Sequence, residues 1–92
     1  MVEPTRYVRC MVSPGFFKTE FYVVVQESSA FVNRLNVRVT QVPESGEEVE
    51  GEVLAYLIDE PQDRNEALVE LSGEPVVGGL RNWVPKSALA AA

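Results

Sequence analysis

The sequence predicts an all-β domain: a small barrel, or a small sandwich, of five to seven short antiparallel strands. Apolar residues recur at every second position, as in Phe21, Val23 and Val25 or Leu35, Val37 and Val39, or run continuously, as in "VLAYLI". That spacing suits a pleated strand, whose side chains alternate between faces. Pro or Gly interrupts the chain about every ten residues, and no window holds the three-to-four spacing of an amphipathic helix. A barrel is preferred because closure removes exposed strand edges.

The elements follow in order. "RYVRCMVS" is rich in β-branched and aromatic residues, and Pro14-Gly15 after it reads as a type II turn opening a hairpin. The returning strand "FFKTEFYVVVQ" places Phe17, Thr19, Phe21, Val23 and Val25 on its core face. "ESSA" breaks the run. "FVNRLNVRVTQV" then reads as a half-buried strand with Arg34, Asn36, Arg38 and Thr40 on its outer row. "PESGEE" is the strongest loop signal in the middle of the chain. Beyond it come a long strand from about Val49 to Ile58, the polar turn "PQDRNE", the strand "ALVELSG", a Pro and Gly interruption at "EPVVGG", and a last strand in "LRNWVPKSAL".

Ninety-two residues, 46 % of them hydrophobic and 24 % charged, make a single domain with one modest core. Two pseudo-halves, about 6–42 and 48–89, are joined by the 43–47 loop, and residues 90–92 are expected to fray. The apolar runs are strand-sized, so no transmembrane helix is expected. No basic segment leads into an apolar stretch at the start, which points to a cytoplasmic location.

Histidine is absent, which removes the commonest general base, zinc ligand and near-neutral pH switch together. Ser28 and Ser29 therefore have no histidine to activate them, and the single Cys10 reads as a buried strand residue. The glutamates around the central loop match no EF-hand spacing and read as a solvated face, and the acids of "IDEPQDRNE", which invite a calcium reading, read as an Asx-type hairpin loop made soluble by charge. No enzyme chemistry, cofactor or metal is expected.

The net charge of −6 disfavours a general nucleic-acid binder, since such affinity comes from neutralising phosphates. Charge is uneven, however: up to Val42 there are five Arg or Lys and three acids, and beyond it three and eleven. The candidate binding residues are Arg34 and Arg38, read on one strand face, with Arg6 and Arg9 near the start, Tyr7 or Tyr22 for stacking, and Tyr56 and Trp83 in the second half. Trp83 reads either as a gripping residue or as plain core.

In "NWVPKSAL", Pro85 cannot donate a ladder hydrogen bond, so the strand stops there; "PKS" makes one tight turn and Leu89 returns to the core. This resembles the end of SH3-like barrels, where a strand runs through an aromatic-aliphatic-Pro sequence into a 3₁₀ turn and a short last strand. The resemblance implies that Pro85 precedes that turn and that Leu89 is the closing aliphatic. Ala88 stands where peptide-binding SH3 domains carry a groove tyrosine, and "ALVELSG" lacks their tryptophan. Bacterial SH3-like, KOW- and Tudor-like barrels are therefore the closer comparison. Phe31–Val37 shares the layout of Trp83–Leu89, with an aromatic, Val, a basic residue and an aliphatic in step. Either two related β-units produce that echo or two strands merely share aromatic and aliphatic anchors, and four matches over seven positions are few for a repeat.

The expectation is a non-catalytic protein-interaction or accessory module with a protein partner. The alternative is a nucleic-acid or phosphate-binding barrel that uses the arginines of the first half.

Overall fold

The computed structural model describes residues 4–91 and is all-β, curling one antiparallel sheet around a single core. Its strands are β1 (Thr5–Pro14), β2 (Glu20–Val25), β3 (Ser28–Asn33), β4 (Val37–Val39), β5 (Val49–Asp59), β6 (Glu66–Leu71), β7 (Glu74–Val77), β8 (Arg81–Pro85) and β9 (Leu89–Ala91). Seven of them form a continuous path, β7-β3-β2-β1-β5-β6-β8, while β4 pairs with β5 and β9 with β1. A 3₁₀ turn at Arg34–Asn36 joins β3 to β4, and another at Lys86–Ala88 joins β8 to β9.

The core is built mainly of valine. Val8, Val12, Val23, Val32, Val53, Val69 and Val84 are fully buried with Leu71, and Phe21 is the one large aromatic inside. β-branched side chains suit this role because they pack densely on a pleated surface at little rotamer cost.

The two 3₁₀ turns are the same structure. The residue before each is extended (Asn33 φ −56, ψ 135; Pro85 φ −58, ψ 139), and the residue after each returns its N–H to the first carbonyl of the turn. Asn33 uses its side chain to accept from the Leu35 N–H, whereas Pro85 reaches the geometry through its ring. Each turn also opens with a bond to the loop beneath it, Arg34 N–H to Thr19 O and Lys86 N–H to Asn65 O.

The equivalence extends through the sheet as a pseudo-twofold axis. β4 meets β5 at Val37↔Val53, Arg38↔Glu52 and Val39↔Gly51, and β9 meets β1 at Leu89↔Val8, Ala90↔Tyr7 and Ala91↔Arg6. The β1–β5 ladder maps onto itself about its Val8↔Val53 pair: Thr5↔Tyr56 answers Met11↔Glu50, and Arg6↔Ala55 answers Cys10↔Gly51. The β2–β3 hairpin corresponds to β6–β8. The departure is β7, which leaves the β6–β8 connection to pair with β3 at Ser29↔Val77, Ala30↔Pro75 and Phe31↔Glu74.

Several local expectations change. Gly15 is not in the left-handed region that a type II turn requires, and Phe16 to Thr19 form a loop instead of strand. Glu20 holds that loop, accepting from the Phe16 N–H and donating its own N–H to Phe17 O. "ESSA" is not a break, because Ser28 and Ser29 begin β3 after a tight turn in which Gln26 takes φ 54. The strand read across Phe31 to Val42 is interrupted by the first 3₁₀ turn, which leaves Leu35 88 % exposed. The local Asn33 cap overrides the period-two pattern there. "EPVV" is strand, and Ala90 and Ala91 pair with β1 where fraying was expected; Ala92 lies outside the described residues.

Candidate functional site

The arginines of the first half do not form one patch. Arg34 lies in the 3₁₀ turn, where its guanidinium sits 4.3 Å from the Phe21 ring centre and Nε donates to Glu20 O. Arg38 lies on β4, 3.5 Å above the Tyr7 ring, and both Nε and Nη2 donate to Glu52 Oε1 at 3.1 and 2.7 Å. Its Nη2 also reaches Ala91 O at 3.4 Å. One side chain thus ties β4 to both central strands and to β9. Arg6 donates to Thr5 O, and Arg9 stands opposite Glu52 in the β1–β5 register.

Arg9 and Arg38 line an open groove of about 890 Å³ together with Glu50, Glu52, Met11 and Val24. Its charge is largely self-compensated, since Arg38 pairs with Glu52 and the two glutamates offset the arginines. Cys10 also borders it, but burial, with Glu52 nearby as the smaller cause, pushes the thiol from 9.0 up to about 12. A neutral thiol at that depth is a packing group and not a nucleophile.

A second groove, of about 680 Å³, lies on the outer face of the first half. Phe31 forms its floor, with Phe16 5.2 Å and Tyr22 5.4 Å away between ring centres, both tilted. Val76 of β7 forms one wall, and Ser45 to Glu48 of the central loop form the other. That loop is held open by its own turn, in which Gly46 takes φ 82 and Glu47 accepts from the Glu44 N–H at 2.7 Å. Glu48 makes no ion pair among the described residues. Phe16 is 85 % exposed although it stands in a concave surface of aromatic rings. Aromatic faces beside an unpaired carboxylate present negative potential to anything that enters.

Reading the strands alone missed Phe16 and Phe31. The available signal was the "FF" pair directly after Pro14-Gly15, where a loop leaves both Phe16 and Phe17, the latter expected on the core face, exposed at 85 % and 70 %.

The second half carries the counterpart of this surface. Trp83 occupies the place of Phe31, and Arg64, at the place of Lys18 in the register, stacks on it with its guanidinium 4.1 Å from the indole centre. Trp83 remains 36 % exposed. Tyr56 shares that outer face, opposite Glu70, which pairs with Arg81 at 2.8 Å. Among the described residues no cluster of three or more His, Cys, Asp or Glu is placed to hold a metal ion, and no helix is long and apolar enough to cross a membrane. No known protein family, characterised protein or solved structure matches the chain.

Proposed function

We propose that the chain is a non-catalytic protein-interaction module whose aromatic groove takes an extended segment of a partner protein bearing Lys or Arg. The observation that carries this reading is Phe16, left exposed over Phe31 in a groove rimmed by the unpaired Glu48. An apolar side chain in a concave surface gains its burial energy only when a partner covers it. Rings and carboxylate together favour a cation, and the net charge of −6 steers basic partners toward the chain.

The likeness to SH3-like barrels belongs to this proposal, supported by the strand, 3₁₀ turn and strand that end each half. A cytoplasmic location belongs to it too, resting on the lone, buried Cys10. The nucleic-acid alternative has less support, because Arg34 and Arg38 are held apart and engaged within the chain.

The test is binding to a panel of extended peptides, basic, acidic and neutral, read by fluorescence anisotropy. Basic peptides should bind, and Phe16→Ala should weaken them by about 10-fold or more, since burying a Phe is worth ~1.5–3 kcal/mol. The fold should survive, because Phe16 contributes little to the core. Equal binding by Phe16→Ala, or preference for acidic peptides at this groove, would sink the reading.

A further inference from the structure

The pseudo-twofold axis shows what the edge of β8 is built to accept. β3 and β8 are equivalent strands, each at the outside of its hairpin. Pairing of Arg34 N–H with Thr19 O and of Lys86 N–H with Asn65 O sets the alternation along both. Even-numbered residues bond inward to β2 or β6, and odd-numbered ones point outward. On β3 the outward groups of Ser29 and Phe31 meet β7. On β8 the equivalent groups belong to Arg81 and Trp83, and no strand among the described residues covers them. The first half cannot supply a cover, because its β2–β3 connection is a tight turn at Gln26–Glu27.

We propose that the outer edge of β8 at Arg81–Trp83 receives an extended acidic segment of a partner protein, added antiparallel in the register that β7 uses on β3. The window is short by construction. Pro85, next in the outward series, has no N–H, which confines pairing to the residues equivalent to those β7 covers.

The chemistry around the edge selects the occupant. Arg64, Arg81 and Lys86 lie beside it, with Arg64 paired to Glu66 at 3.1 Å and Arg81 to Glu70 at 2.8 Å. Arg64 stacks on Trp83, and Lys86 makes no ion pair among the described residues, its Nζ donating to Pro61 O at 2.6 Å. In β7 the residue opposite Phe31 is Glu74. An acid in that place on a partner strand would share a face with Trp83 and reach the Arg64 guanidinium, because opposed residues in an antiparallel pair project to the same side. A second copy of this chain pairing through its own β8 fits less well, since Arg81–Pro85 holds no acid to set opposite Trp83.

The test uses the full chain labelled with ¹⁵N and a free peptide of sequence SGEPVVGG, identical to residues 72–79. The Arg81 and Trp83 amides should shift and their exchange should slow, with millimolar affinity expected for so short a ladder. Replacing the peptide's Glu by Lys should weaken binding by several-fold, as should Arg64→Glu, a loop change that leaves the core untouched. Arg81→Pro removes one outward N–H at the first residue of an edge strand, where proline is tolerated, and should weaken binding about 3- to 10-fold. Shifts confined to Phe16, Tyr22 and Phe31 would overturn the proposal and place the peptide in the aromatic groove. So would silence at Arg81 and Trp83 at several millimolar peptide, or shifts there that follow protein concentration without peptide, which would mark pairing between copies. Phe16→Ala should leave this binding intact, so the edge and the groove fail independently.

Discussion

Replacing Gly73 with Ala should detach β7 from β3 without unfolding the domain. Gly73 takes φ +131, a region that L side chains rarely adopt, and an added Cβ would lie 2.3 Å from Phe31 O and 3.1 Å from Val32 Cγ2. Phe31 O belongs to the ladder that β7 completes, so it cannot swing aside and keep its partner. Backbone strain of this kind costs about 1–3 kcal/mol, before the overlap itself is counted. What holds β7 is of similar size, a few ladder bonds worth ~0.5–1.5 kcal/mol each on a strand whose residues are all exposed. Release of β7 is therefore the cheapest response. Hydrogen exchange should accelerate about 10- to 100-fold at the Ser29 and Phe31 amides, with smaller changes at Val8 and Val53. Gly79→Ala is the control: its Cβ would meet only Arg81 N, at 4.0 Å, so it should change nothing. Unchanged exchange at Ser29 and Phe31 in Gly73→Ala would refute the reasoning. Uniform acceleration across the sheet would refute it as well, by showing that β7 is integral to the core.

Three further outcomes follow from the geometry. Ser29 is buried with no hydrogen-bond partner for Oγ among the described residues, so Ser29→Ala should raise stability by about 1 kcal/mol in urea titration; a loss of that size would show the hydroxyl is satisfied. Cys10, with its thiol pushed from 9.0 to about 12, should react with a disulfide reagent at pH 8 roughly a thousandfold more slowly folded than unfolded. Because folding favours the neutral thiol, that contribution is fully present below pH 9 and disappears as pH rises toward 12; equal reactivity in both states would contradict this. Arg38→Gln should cost about 1–2 kcal/mol, combining a part-exposed ion pair with the stack on Tyr7, and should leave peptide binding at the aromatic groove unchanged. Loss of binding at constant stability would instead make Arg38 part of a site.

The strands that follow from local chemistry were legible in the sequence: β1, β5, β6, and the closure in which Trp83-Val84-Pro85 enters a 3₁₀ turn before Leu89. Where the reading departed, another force competed with periodicity. Leu35 fits the alternation of Val37 and Val39, yet the Asn33 side chain caps a turn and turns Leu35 outward. "EPVV" looks like an interruption because its partner, Ser29–Phe31, lies more than forty residues earlier. No local signal records such a pairing. Arg34 and Arg38 were joined by counting along a strand that does not continue, and the aromatic groove draws on β1, β2, β3, β7 and the central loop, which only the fold brings together.

The exchange of end strands, β4 onto β5 and β9 onto β1, makes the two halves hostage to each other. Neither closes its own share of the core. Cleavage in the connection between Val39 and Val49 should therefore yield fragments that are disordered apart and reassemble when mixed, since every ladder across the axis is already intermolecular in form. By the same logic, two identical copies of a single half would satisfy the β1–β5, β4–β5 and β9–β1 pairings. The fold could thus be reached by a chain of half this length as a homodimer. The symmetry is broken by the second half alone, whose β6–β8 connection supplies β7 to cover the first half's β3 while its own β8 edge is left open.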